Sequence, residues 1–284
     1  MVSSLSPLHN VLVTKAIQEA LLEDLGPTGD LTSNSMIPAD AILSANVVAR
    51  QPGCIAGAQM LTSVMAEMSK DIAVEIHTPD GSKVDANTVV ATISGPARAI
   101  LSGERVSLNF LGHLSGIATA TRNIVDLIDD LPTHVTCTRK TTPGLRAFEK
   151  YAVRAGGGYN HRLGLYDGIM IKDNHIAAVG GDIGTAIKRA KDSAGHMVKV
   201  EVEVDTLEQL RKALPHQPDV VLLDNMDLRE LKQAVDLING TAIAEASGGI
   251  TMETARSIAE TGVDIISLGW LTHSSPCLDL GLDI

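Results

Sequence analysis

The 284-residue sequence is poor in aromatic side chains: they make up 2 % of it, with a single tryptophan, Trp270. A core must therefore be built from Ala, Val, Leu, Ile and Met. Rows of aromatic platforms, on which single-stranded nucleic acid stacks, are excluded by the same scarcity. Cysteine is also scarce. Cys54, Cys137 and Cys277 are an odd number far apart, which speaks against a disulfide framework or a zinc cluster and for a reducing, cytoplasmic setting. No apolar run approaches the roughly 20 residues needed to span a bilayer. The first ten residues, MVSSLSPLHN, lack the basic-then-apolar pattern of a secretory leader. Positive charge is in deficit, with a formal net charge of −11. A field of that sign repels polyanions and acidic membranes, so neither nucleic acid nor a membrane is an expected partner.

What is present falls into two textures. In the first hundred or so residues the element types are mixed. Leu12 to Leu25 has helical periodicity, with Ile17, Leu21 and Leu25 on one face, and the turn residues Gly26 to Asp30 end it. Ala41 to Arg50, Asp71 to His77 and Thr88 to Ile93 read as strands, and Ala58 to Met68 as a helix between the first two. Short connections predict an antiparallel α+β domain. Gly95-Pro96 punctuates it, and a long helical pattern carrying Arg105 follows.

From Leu131 a unit recurs: a short apolar run ending in polar or glycine residues, then a helical stretch. The runs are His134 to Thr138, Gly168 to Ile171, Val198 to Val204, Asp219 to Leu223, Thr241 to Ala246 and Val263 to Leu268. The landmarks Glu203, Asp224, Ser247 and Gly269 lie 21, 23 and 22 residues apart, the length of one βα unit. Six parallel strands are fewer than a full barrel needs. Either a seventh hides near Gly116 to Thr121, or the barrel is incomplete, or the sheet is open and doubly wound. In each case ligands bind at the carboxyl ends of the strands, where the charged and glycine residues fall.

Between Arg139 and Lys172 there are seven Lys or Arg against two acids, Glu149 and Asp167. This local excess, joined by His161, suits a small polyanion. Lys150 and Arg154 read instead as a solvated helix face. Gly156-Gly157-Gly158 lets backbone approach a ligand closely and delivers His161 and Arg162 beside the basic strand ends. Glu201 and Glu203, two apart on one strand, share a face. Glu203 and Asp224 suit ribose hydroxyls or magnesium-bound pyrophosphate, whereas Glu201 is equally a salt-bridge partner for the barrel lysines. Ser247-Gly248-Gly249, followed by Gly269, forms glycine-rich loops at the last strands, the usual phosphate site of βα barrels.

Thr138-Arg139-Lys140-Thr141-Thr142-Pro143-Gly144-Leu145-Arg146 resembles the signature of the quinolinate phosphoribosyltransferase family. So do Ile171 to His175, Glu201 to Asp205, Leu222 to Met226, Glu245 to Ile250 and Leu271-Thr272-His273-Ser274, in order and spacing. The resemblance implies an α/β protein with an incomplete (open) α/β barrel preceded by an α+β sandwich domain. It divides the chain at 1–115 (sandwich), 116–273 (catalytic barrel) and 274–284 (a tail packing back on the first domain). It implies transfer of phosphoribosyl from phosphoribosyl pyrophosphate to quinolinate with loss of carbon dioxide, in a homodimer or larger assembly, with Mg²⁺. Arg105 would reach a neighbour's site. Arg139, His161, Arg162 and Lys172 would bind the quinolinate carboxylates. Lys140, Glu203, Asp224, Ser247, Gly248, Gly249 and Gly269 would hold the donor, with Thr138 and His273 beside them. Lys140, Lys172, Glu203 and Asp224 would be catalytic, and Glu203 and Asp224 would face the metal. A Schiff-base lyase using Lys140 or Lys172 is a rival on the same barrel. A phosphoribosyltransferase for another acceptor and a non-catalytic anion-binding module are two more.

Overall fold

The computed structural model describes residues 5–284. The reading of the first ten residues as no secretory leader therefore lies partly outside the described residues. In chain order the elements are α1 (Asn10–Leu25), α2 (Leu31–Met36), β1 (Ile42–Ala49), β2 (Gly53–Cys54), α3 (Ala58–Met68), β3 (Ala73–Ile76), β4 (Lys83–Val84), β5 (Val89–Pro96) and α4 (Ala97–Leu127). Then follow β6 (His134–Thr136), α5 (Arg146–Ala155), β7 (Ile169–Ile171), α6 (Asp173–Ala178), α7 (Ile183–Ser193) and β8 (Val200–Val204). The remainder is α8 (Leu207–Ala213), β9 (Val220–Asp224), α9 (Leu228–Ile238), β10 (Ile243–Ser247), α10 (Met252–Ala259), β11 (Ile265–Ser267), α11 (Trp270–His273) and β12 (Leu280–Asp283). No helix among the described residues is long and apolar enough to cross a membrane.

The chain divides into two compact units, 1–122 with 147–157 and 274–284, and 123–146 with 158–273. The first unit is built on a four-stranded antiparallel sheet, ordered β12-β1-β5-β3. Its core is aliphatic, as the scarcity of aromatics requires: Val47, Ile55, Leu61, Met65, Ile93, Ile100 and Leu111 are all essentially inaccessible. The last strand joins through Leu280, which is buried in that core, and Asp283 pairs with Arg50. The segment at Gly116 is not a strand but lies inside α4. Its glycine serves close approach, because a Cβ there would lie 2.1 Å from the Pro276 carbonyl oxygen. Lys150 departs from the solvated-face reading. It is buried, next to Glu149, whose carboxylate receives His113 Nε2 at 3.1 Å. A buried carboxylate needs such a donor.

The second unit carries the six parallel strands in the order β6-β11-β10-β9-β8-β7. Consecutive strands from β7 to β11 are neighbours, and β11 then pairs with β6. The order nowhere reverses, so there is no switch point of the kind a doubly wound sheet has. Instead the strands follow one another as in a barrel left open between β6 and β7. On the free side of β6 only a short bridge forms, between Thr136 and Tyr159. Helix starts are capped locally. Asp182 accepts from Thr185 N, Thr206 from Gln209 N and Asp227 from Glu230 N, each holding an otherwise orphaned amide.

Candidate active site

The carboxyl ends of the six strands surround a cavity of about 670 Å³, a size usual for small-ligand sites. Its lining brings together Thr138, Arg139, Lys140, His161, Arg162, Lys172, Glu203, Asp224, Ser247, Gly248, Gly249, Gly269 and His273. Each of these was expected from sequence at a strand end or in a loop after one. Arg105 is not among them. It is exposed on α4, in the first unit.

The basic wall follows β6. Thr138 Oγ1 accepts the Lys140 amide at 3.0 Å, and Thr272 Oγ1 donates to the Lys140 carbonyl at 2.7 Å, so α11 and a tight turn fix where Lys140 begins. Gly269 leaves space for its stem, since a Cβ there would lie 2.8 Å from Lys140 Cδ. Arg162 Nη1 donates to the Gly168 carbonyl at 2.9 Å. Burial first, then the Arg139 guanidinium, pulls Arg162 below its ordinary pKa, with Glu201 and Asp167 opposing. Arg139 Nε and Arg162 Nε are both buried with no hydrogen-bond partner. Two adjacent guanidiniums with orphaned donors are built for an anion.

The floor is acidic. His161 Nδ1 accepts the Arg162 backbone N–H at 2.8 Å, and Nε2 faces Glu201 at 3.0 Å and Glu245 at 3.7 Å. Both ring nitrogens are thus engaged by protein, which makes His161 a support for the wall. Glu201 and Glu203 share a face, as period two requires, but differ in partner: Glu203 is bound by Lys172. Burial, with the Glu201 carboxylate beside it, pushes Glu245 up to about 7. His161, Glu201 and Glu245 bring ligand atoms within 4.8 Å of one another, the one group of three of this kind among the described residues.

The glycine loops follow β10 and β11, the two strands that come next to β6 in the sheet. Gly248 and Gly249 have φ of 96° and 60°, a region that favours glycine. Trp270 Nε1 donates to the Ile250 carbonyl at 2.9 Å and holds the loop's far side. Sequence reading passed over Asn225, Glu245 and Trp270 as site residues, although all three line the cavity. Glu245 was recoverable, because it stands two before Ser247 on β10 and so shares its face. Asn225 stood within the Leu222 to Met226 motif, whereas Trp270 carried no comparable signal.

Residues 30–115 match the N-terminal domain, and residues 117–283 the C-terminal domain, of the family described as quinolinate phosphoribosyl transferase. A probable nicotinate-nucleotide pyrophosphorylase [carboxylating] of Bacillus subtilis is 47 % identical over 98 % of this chain and 95 % of its own length. The nicotinate-nucleotide pyrophosphorylase [carboxylating] of Mycobacterium leprae is 42 % identical over 94 % and 95 %. The solved structure of the nicotinate-nucleotide pyrophosphorylase from Francisella tularensis superposes with a TM-score of 0.93 at 37 % identity, covering 99 % of both chains. The chain belongs to the quinolinate phosphoribosyltransferase family.

Proposed function

We propose that the protein transfers phosphoribosyl from phosphoribosyl pyrophosphate to quinolinate and releases carbon dioxide, giving nicotinate mononucleotide. The observation that carries this is the single cavity in which Arg139, Arg162, Lys140 and Lys172 face two strand-end acids and two glycine loops. Quinolinate carries two adjacent carboxylates, and Arg139 and Arg162 offer the buried, unpartnered donors to receive them. His161 and Lys172 complete that pocket, the first by positioning and the second by charge. The donor lies along Lys140, Glu203, Asp224, Ser247, Gly248, Gly249 and Gly269, with Thr138 and His273 at its edge. Backbone amides of the glycine loops take phosphate oxygens without side-chain bulk.

The pyridine nitrogen attacks the anomeric carbon as pyrophosphate leaves. The ribose gains oxocarbenium character, which the Glu203 and Asp224 carboxylates stabilise, while Lys140 offsets charge on the leaving group. The electron pair of the breaking C–CO₂ bond stays on the ring carbon, stabilised by the positive charge of the adjacent pyridinium nitrogen, and that carbon then takes up a proton. No protein nucleophile is needed, so positioning and charge placement are what the chain supplies. Glu203, the penultimate residue of β8, and Asp224, the last of the neighbouring β9, are half-buried, a pair of carboxylates suited to a Mg²⁺ that keeps substrate oxygens as its other ligands. Mg²⁺ bound there would neutralise pyrophosphate charge. In the Schiff-base reading Lys172 must present a free amine, whereas here it commits its ammonium to Glu203.

The catalytic part is the barrel within residues 116–273, less the stretches 116–122 and 147–157 that belong to the first compact unit, and residues 1–115 with the tail 274–284 form the accompanying domain. A second copy of the chain supplies Arg105 to the cavity in a homodimer or larger assembly, and the protein works in the cytoplasm. The test is incubation of the purified protein with quinolinate, phosphoribosyl pyrophosphate and Mg²⁺, following nicotinate mononucleotide by chromatography. Product with wild type and little with Lys140→Ala supports the assignment. No product from a folded protein overturns it and moves the acceptor to another base.

A further inference from the structure

Asn225 follows the last residue of β9 and has φ of 53°, one of four non-glycine residues in that region among the described residues. Asparagine tolerates this conformation better than most side chains. Its backbone and its side chain each make a specific link. Its amide N–H donates to the Ser247 carbonyl at 3.0 Å, carrying the β9–β10 ladder one step past the Asp224–Ser247 register. Its side-chain Nδ2 donates to Asp224 Oδ2 at 2.8 Å. The remaining amide oxygen lies against the glycine loop, where a Cβ on Gly248 would fall 2.2 Å from Asn225 Oδ1 and 2.9 Å from Asn225 N. Gly248 is therefore required to be bare by Asn225 as well as by its own φ.

These contacts join two parts of the site that come from different strands. One is the Asp224 carboxylate and the other is the Ser247–Gly249 loop. Glu203, the other strand-end acid, has its own tether in Lys172. We propose that Asn225 is a positioning residue for the phosphoribosyl donor, holding the Asp224 carboxylate and the Ser247–Gly249 loop in one fixed arrangement. The inference deepens the donor half of the proposed function and rests on it. Without the amide, the Asp224 carboxylate is free to turn about its side-chain torsions, and the loop loses the surface it packs on. Donor binding then has to restore an order that is now built in.

Asn225→Gly isolates the effect. Glycine adopts the left-handed backbone without strain and keeps the N–H to Ser247, so only the side-chain amide is lost. Binding of phosphoribosyl pyrophosphate with Mg²⁺ is measured by calorimetry without quinolinate, and KM is measured separately for each substrate. The expected result is donor affinity weakened, and donor KM raised, by about tenfold to a hundredfold, the loss of one hydrogen bond to a charged group. The quinolinate KM stays within about twofold by the same reasoning. Donor affinity within about twofold of wild type overturns the proposal. So does equal weakening toward both substrates together with a lowered melting temperature, which marks a merely structural role. If wild type binds the donor but makes no nicotinate mononucleotide, the choice of acceptor falls, and Asn225 is still judged on donor binding alone. If wild type binds no donor, both readings fall.

Discussion

His161 directs Nε2 at Glu201 from 3.0 Å while its Nδ1 accepts the amide of the next residue, Arg162. The imidazole is thus clamped between the acidic floor and the basic wall, and Glu245 completes the floor from β10. Two buried carboxylates this close do not both ionise easily.

The first prediction follows from that floor. Folded Glu245 titrates at about 7, against 4.5 for an ordinary glutamate. A carboxyl whose pKa is raised by folding contributes stability that is fully present below the unfolded value and is lost as pH rises through the folded one. Between those limits the folded state binds the extra proton. Glu245→Gln has no proton to lose there. The melting temperature of wild type is expected to fall relative to the variant from pH 5 to pH 8, by a few degrees. Parallel curves over that range count against a neutral Glu245.

A second prediction concerns Gly269. Adding a methyl there meets Lys140 Cδ at 2.8 Å and Thr138 Oγ1 at 3.4 Å. The lysine stem is flexible, so the fold tolerates the change while the ammonium is displaced. Gly269→Ala is expected to leave the melting temperature nearly unchanged and to raise the KM for phosphoribosyl pyrophosphate toward that of Lys140→Ala. Wild-type steady-state kinetics in the variant would show that Lys140 does not work from this position.

Arg162 and Arg139 offer side-on guanidinium donors, which a lysine cannot reproduce. Arg162→Lys keeps the charge but loses the fork and the bond to the Gly168 carbonyl. We expect the quinolinate KM to rise at least tenfold, roughly one charge-assisted hydrogen bond, with the donor KM little moved. Recovery of normal quinolinate kinetics by lysine would mean that only charge matters at this position.

Ionic strength gives a fourth. Anionic substrates approach a chain of net charge −11 through a local basic wall. Salt shortens the reach of that wall, to about 8 Å at physiological ionic strength. Raising NaCl from low to physiological concentration is expected to lower kcat/KM several-fold and kcat much less. A kcat/KM insensitive to salt would show that the wall does not steer substrate.

The legible parts of the sequence were those governed by a repeat or by charge. The βα spacing located all six strands, because each parallel strand must end in a loop that turns into a helix. The cationic strand ends marked in the sequence line one cavity, at places where idle charge is costly. Lys150 was misread because amphipathic spacing says which residues share a face but not what covers that face. The stretch Gly116 to Thr121 offered itself as a seventh strand, whereas its glycine marks a close approach inside one helix. The role of Asn225, within a motif the sequence did mark, was hidden for a different reason: its meaning lies in Gly248, twenty-three positions later and in the loop after another strand.

The pairing of β12 with β1 sets an order of events during synthesis. Arg50 and Asp283 meet across 233 positions, so the first sheet waits for its edge strand until every barrel strand has left the ribosome. Until then β1 presents an unpaired edge in a nascent chain, and such edges invite association with other chains. A contact of that sequence separation also forms slowly, since a long loop must close before it is rewarded. The last strand is thus a late clasp on the earliest domain, and the time spent before it closes is the interval in which this chain most depends on being kept apart from its copies.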